Sequence, residues 1–144
     1  KCMKLDNRGV SADGTLNELP ITIHTREDWQ KTAGSGRFPI CVQIAWQASS
    51  RDESNAYPSL QEMQQIELFH YQLQSQFEKQ GQTIIAMVIT HDGVNQWVIY
   101  TNDVEQIKND LNQLVAPEKG FPIEVVADED PQWSTFNKVY SAIQ

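Results

Sequence analysis

The sequence predicts an α+β fold, a ferredoxin-like two-layer sandwich in the order βαββαβ, with a short strand added in front and a further helix behind. Three observations carry that expectation. Ile40, Val42, Ile44 and Trp46 alternate with Cys41, Gln43, Ala45 and Gln47, the period-two pattern of a strand with one buried face. Leu60, Met63, Ile66, Phe69 or His70, Leu73 and Phe77 then recur at helical spacing as far as Gly81. Two β-branched-rich runs, a shorter amphipathic stretch and another apolar run follow, which completes strand, helix, strand, strand, helix, strand.

In chain order, residues 1–17 are polar, contain Gly9 and Gly14 and show no periodicity, so they read as a flexible arm before a single domain over 18–144. Ile21 to His24 suits a short edge strand, and Thr32 to Gly36 has a loop composition. After the strand from Ile40 and a polar loop over Ala48 to Tyr57, Ser59 with Glu62 three residues on forms a capping box for the long helix. Thr83 to Thr90 and Gln96 to Thr101 are joined across Asp92-Gly93, a hairpin with a slightly long turn. Asn102 and Glu105 make a second capping box, Val104, Ile107, Leu111 and Leu114 supply the buried stripe, and Pro117 and Gly120 stop that helix. Phe121, Ile123 and Val125 mark the last strand. Asp130 and Pro131 then read as an N-cap and a first helical residue, opening a helix that presents Trp133, Phe136, Val139 or Tyr140, and Ile143.

A two-layer sandwich leaves one sheet face open, and that face carries Cys41, Gln43, Ala45 and Gln47 with Glu124 and Val126. Ile84 to Ile89 is nevertheless apolar throughout, as for a strand covered on both sides. The terminal helix is the first expected cover, because its own apolar stripe needs burial, and an interface is the second.

A chain of 144 residues is long enough to bury about 70% of its unfolded surface as one domain. No apolar run approaches the roughly 20 residues of a membrane span, so no membrane is expected as partner. The net charge of −8 repels phosphate backbones, which argues against nucleic acid. Two cysteines, Cys2 and Cys41, fit a reducing, cytoplasmic setting better than a disulfide framework, although a removed signal segment stays open.

The residues that could carry chemistry each have a simpler reading. Glu67 and His70 have the Glu-x-x-His spacing of di-iron bundles, but the second copy and further glutamates that such a site needs are missing. Cys41 has no histidine at a recognisable spacing, since His24, His70 and His91 sit on different elements. His91 beside Asp92 reads as a solvated turn residue. Asp128, Glu129 and Asp130 lack the spacing that converges oxygens on a cation, and a helix N-terminus accounts for their charge. Trp97 and Tyr100 resemble the stacking aromatics of an RNA-binding sheet without its basic motif, so they read as core. No glycine-rich phosphate loop, zinc spacing or serine elbow occurs, and no catalytic residue, cofactor or metal is assigned.

The later part of the chain resembles the family known as domain of unknown function 695. The likeness rests on Ile84 to Thr90, Asp92-Gly93, the aromatic strand Trp97 to Thr101 ending in Tyr-Thr, Val104 to Leu114, and Asp130-Pro-Gln-Trp133-Ser-Thr-Phe136. It covers about residues 60–140, with Trp29 and the strand from Phe38 fitting more loosely. Where family members often carry an arginine after the hairpin glycine, this chain has Asn95 and Gln96, so a function tied to that charge is not implied here. The family is similar in turn to the regulator of ribonuclease activity B, which implies a non-enzymatic, regulatory role through protein contact.

Three functional expectations follow. The first is a non-catalytic protein-binding or regulatory module acting through its acidic surface or outer sheet face. The second is a small-molecule binder or hydrolase with a pocket on that face near Cys41, Trp97 and Tyr100. The third is a homodimer joined by sheet faces or edges. Trp97, Tyr100, Asp130, Pro131, Trp133 and Phe136 are the residues assigned structural weight.

Overall fold

A computed structural model of the chain describes residues 2–5, 9–26, 35–114 and 120–142. The fold is mixed α+β, with strands β1 (Cys2–Leu5), β2 (Gly9–Leu16), β3 (Leu19–Arg26), β4 (Ile40–Gln47), β5 (Thr83–His91), β6 (Val94–Thr101) and β7 (Ile123–Glu129). Helices α1 (Leu60–Gln80), α2 (Val104–Asn112) and α3 (Ser134–Ala142) complete the described elements. The strands form one antiparallel sheet in the order β1-β2-β3-β5-β6-β4-β7.

The alternation in β4 does what its period implies. Val42, Ile44 and Trp46 meet Ile66, Phe69, Leu73 and Phe77 of α1 and Ile107 of α2 in an inner core, while Cys41 turns to the other face. Ser59 caps α1 by accepting the N–H of Glu62, and Gly81, at φ 67°, ends it by donating its N–H to Phe77 O. Only half of the capping box forms, because the Glu62 side chain is committed elsewhere. At α2 the cap is Asp103, which accepts the Gln106 N–H, and not Asn102.

Strand β5 is covered on both sides in its first half, and a register shift between Ile85 and Met87 explains why no simple alternation shows in it. Ile84, Met87 and Ile89 join the outer cluster, whereas Ile85 and Val88 join the inner one. The turn after β5 is a tight pair, Asp92 at φ 47° and Gly93 at φ 75°, shorter than the sequence suggested. Arg51 lies against Gly93 and pairs with Asp92 at 2.7 Å, so a side chain at 93 would displace it.

Three other expectations are corrected. The segment read as an arm contains β1 and β2, and β2 runs in full register with β3 around Asn17 and Glu18, both at positive φ. A boundary at residue 18 therefore falls inside a hairpin. Strand β3 is interior, between β2 and β5, and not an edge. Helix α3 starts at Ser134, after a turn at Pro131 and Gln132, so Pro131 is not its first residue. Of the loop over Thr32 to Gly36 only Ser35 and Gly36 are described; Trp29, Pro117 and Ile143 lie outside the described residues. No helix among the described residues is long and apolar enough to cross a membrane.

Candidate functional site

The outer sheet face is divided in two by the segment that begins at Asp130. Over one half, Trp133 stacks on Tyr100 with ring centroids 4.0 Å apart and planes 9° from parallel, and Phe136 meets Trp133 edge-on at 5.6 Å. Cys41, the cross-strand partner of Tyr100, lies buried in the same cluster. Trp133 sits at φ 57°, a conformation that costs a non-glycine residue. Two bonds hold it there: its indole N–H donates to Phe38 O at 2.9 Å, and its backbone N–H to Asp130 O at 3.0 Å.

Asp130 is the hub of this contact. Its carboxylate accepts the N–H groups of Ser134 at 2.8 Å and Thr135 at 3.0 Å, and the Tyr100 hydroxyl at 2.7 Å. Tyr100 Oη in turn accepts the N–H of Phe136 at 3.2 Å. Burial works against the Asp130 charge, but these donors outweigh it and hold the carboxyl below its ordinary range. Burial, reinforced by the bond to Asp130, pushes the Tyr100 phenol up, and burial raises the Cys41 thiol. Buried in this cluster with its pKa raised, the Cys41 thiol acts as a packing group.

Trp97 does not share this face. It points into the inner core, edge-on to Phe69 at 5.0 Å, and its indole N–H donates to His70 Nδ1 at 3.1 Å. Burial lowers the His70 pKa, with His24 adding to the effect and Glu67 opposing it. Among the described residues Cys41, Trp97 and Tyr100 therefore share no pocket: α3 covers two of them on the outer face, and the third is fully buried in the inner core. His91 Nε2 donates to Leu16 O at 2.8 Å and ties β5 to the β2–β3 hairpin. No group of three or more histidine, cysteine, aspartate or glutamate side chains suited to a metal ion occurs among the described residues.

Glu62 is the residue whose role sequence reasoning missed. Buried at 6% exposure, it accepts the Trp46 indole at 2.8 Å and the backbone and hydroxyl groups of Ser49 and Ser50 at 3.0–3.1 Å. Burial disfavours its charge, yet these five donors lower its pKa. The arrangement anchors the loop after β4 to the start of α1.

Over the other half of the outer face α3 leaves an open groove of about 780 Å³. Its floor is Ile21, Ile89 and Val94, with Leu16 on the hairpin side and Val139 and Ala142 on the helix side. Asp13, His91 and Lys138 lie at the lining's polar positions. Such a surface can bind by excluding water from apolar groups, and it brings no nucleophile and base together. Its parts come from four separate stretches of chain, and the only signal in the sequence is the doubly apolar β5.

No curated protein and no solved structure matches the chain. Residues 11–140 match the model of a protein family, from within β2 to near the end of α3, so the match takes in the hairpin and first half that the motifs alone reached only loosely. The chain belongs to the family described as "Family of unknown function (DUF695)".

Proposed function

We propose that this protein is a non-catalytic binding module of ferredoxin-like architecture that receives an apolar segment of a partner protein in its outer-face groove. The architecture is supported by the order β5-β6-β4-β7, in which β4, α1, β5, β6, α2 and β7 follow one another as two interleaved β-α-β units. One observation carries the functional reading: the groove stays open and apolar on a face whose other half is sealed by Trp133 and Phe136. Leu16, an apolar side chain in its lining, is 47% exposed. The groove's size also suits a small apolar ligand, which is the second reading.

A photo-crosslinking amino acid in place of Leu16, and separately of Leu68 on the solvent side of α1, tests this in cells of the natural source. The expected result is a discrete polypeptide adduct from position 16 that Val94→Glu abolishes, with none from position 68. No adduct at 16, or equal adducts at both, contradicts the proposal. A small apolar molecule retained in native mass spectra and lost in Val94→Glu would put the second reading in its place.

A further inference from the structure

The sheet ends on β7, and no other described strand pairs with its outer edge. Every side chain from Glu124 to Glu129 is exposed, Val125 at 45% and Val126 at 54%, which is unusual for a strand of this composition. Which backbone groups are free follows from the ladder. The Asp130 N–H donates to Pro39 O and the Gln47 N–H to Pro122 O, so those pairs are hydrogen-bonded pairs of the β4–β7 register. By alternation, Glu124, Val126 and Asp128 direct their backbone groups at β4. Val125, Ala127 and Glu129 turn their N–H and C=O groups outward, and Ile123 its C=O, since the Ile123 N–H is held by Phe121 O at 2.8 Å.

The two faces of this edge differ in chemistry. On the inner side, Val125 and Ala127 border a mainly apolar hollow of about 470 Å³ whose helical wall is Val104, Ile107 and Leu111 of α2, with Lys108 and Asn112 at its polar positions. On the outer side stand Glu124 and Asp128, opposite Ala45 and Cys41, and neither makes a salt bridge among the described residues. Charges alone would serve to guard an edge. The apolar hollow is what guarding does not require, and it suits the inward side chains of one more strand. A second copy of this chain is a poor occupant. Antiparallel self-pairing centred on Val126 would set Glu124 of each copy against Asp128 of the other, in a protein of net charge −8.

We propose that the free edge of β7 takes an extended segment of a partner protein that carries lysine or arginine at two positions four residues apart, with apolar residues between them. The cations face Glu124 and Asp128, the apolar residues enter the hollow beside α2, and the backbone pairs with Val125 and Ala127. This site is separate from the outer-face groove and stands or falls independently of it.

The probe is a synthetic seven-residue peptide with lysine at positions two and six, valine at three and five, and threonine elsewhere. Fluorescence anisotropy gives its affinity, and amide hydrogen exchange gives the contact. Binding should slow exchange at Val125 and Ala127, and N-methylation of alternate peptide amides should abolish it. Glu124→Lys with Asp128→Lys should weaken binding about tenfold or more, and restore it for the peptide with glutamate at two and six. Both positions are exposed, and the restored binding itself shows that the variant folds. The proposal is overturned if exchange at Val125 and Ala127 is unchanged, or if charge reversal or N-methylation leaves affinity unaltered. It is equally overturned if those amides are already protected by self-association without peptide.

Discussion

Replacing Asp130 by alanine removes the hub that holds α3 on the sheet, and the structure sets the size of the effect. Two backbone N–H groups, of Ser134 and Thr135, lose their cap, a loss of about 1 kcal/mol in typical helices. The Tyr100 hydroxyl, on a residue with no exposed surface, loses its acceptor, which costs roughly 1–3 kcal/mol for a buried donor. Together these give about 2–4 kcal/mol, or a fall of roughly 5–15 °C in Tm for a chain of 144 residues. Thermal and urea unfolding measure it, with Asp128→Ala as the reference, since Asp128 is exposed on β7. Tyr100→Phe alone should cost less. The double variant should fall short of the sum by about 1 kcal/mol, because both changes break one bond. A loss for Asp130→Ala no larger than for Asp128→Ala, or strict additivity with Tyr100→Phe, would refute the assignment.

Asp110, buried on α2 with Gln106 donating to one oxygen and nothing to the other, has its pKa raised by burial. Asp110→Asn should therefore raise stability at neutral pH by about 1 kcal/mol in urea unfolding, since the group's shape and volume are kept and its uncompensated charge is removed. The acid limb follows from Asp130 and Glu62, whose folded pKa values lie below the ordinary ones. Their stabilisation is complete above the unfolded carboxylate range near pH 4 and is lost as the pH falls through the folded values. Urea midpoints should thus drop steeply below about pH 4, and Glu62→Gln should flatten that drop while lowering the midpoint at pH 7.

What the sequence disclosed depended on whether one side chain's pattern was enough. Strand β4 and helix α1 were legible because each carries an apolar stripe at its own period, and Ser59 and Gly81 mark the helix ends by local geometry. The cover of the outer face by the last helix was legible too, through the doubly apolar β5. Strand β2 was not, because residues 1–17 are polar with Gly9 and Gly14 and show no periodicity, and its strand state is set by pairing with β3 and not by propensity. Pro131 misled as a helix start because Asp130 caps across a turn, its carboxylate reaching the N–H groups four and five residues on. The groove had no signature beyond the doubly apolar β5, since Leu16, Val94 and Val139 are brought together only by strand order and by the position of α3.

The division of the outer face is tested most directly by thiol chemistry. In a Cys2→Ser chain, Cys41 lies beneath Trp133 and Phe136 with its thiol kept protonated, whereas Leu16→Cys in a chain lacking both natural thiols places the group in the open groove. The rate of reaction with a disulfide reagent at pH 8 should be about a thousandfold lower for Cys41, which becomes reachable only when α3 opens. Rates within about tenfold of each other would contradict the account, because α3 would then not be closing that half of the sheet.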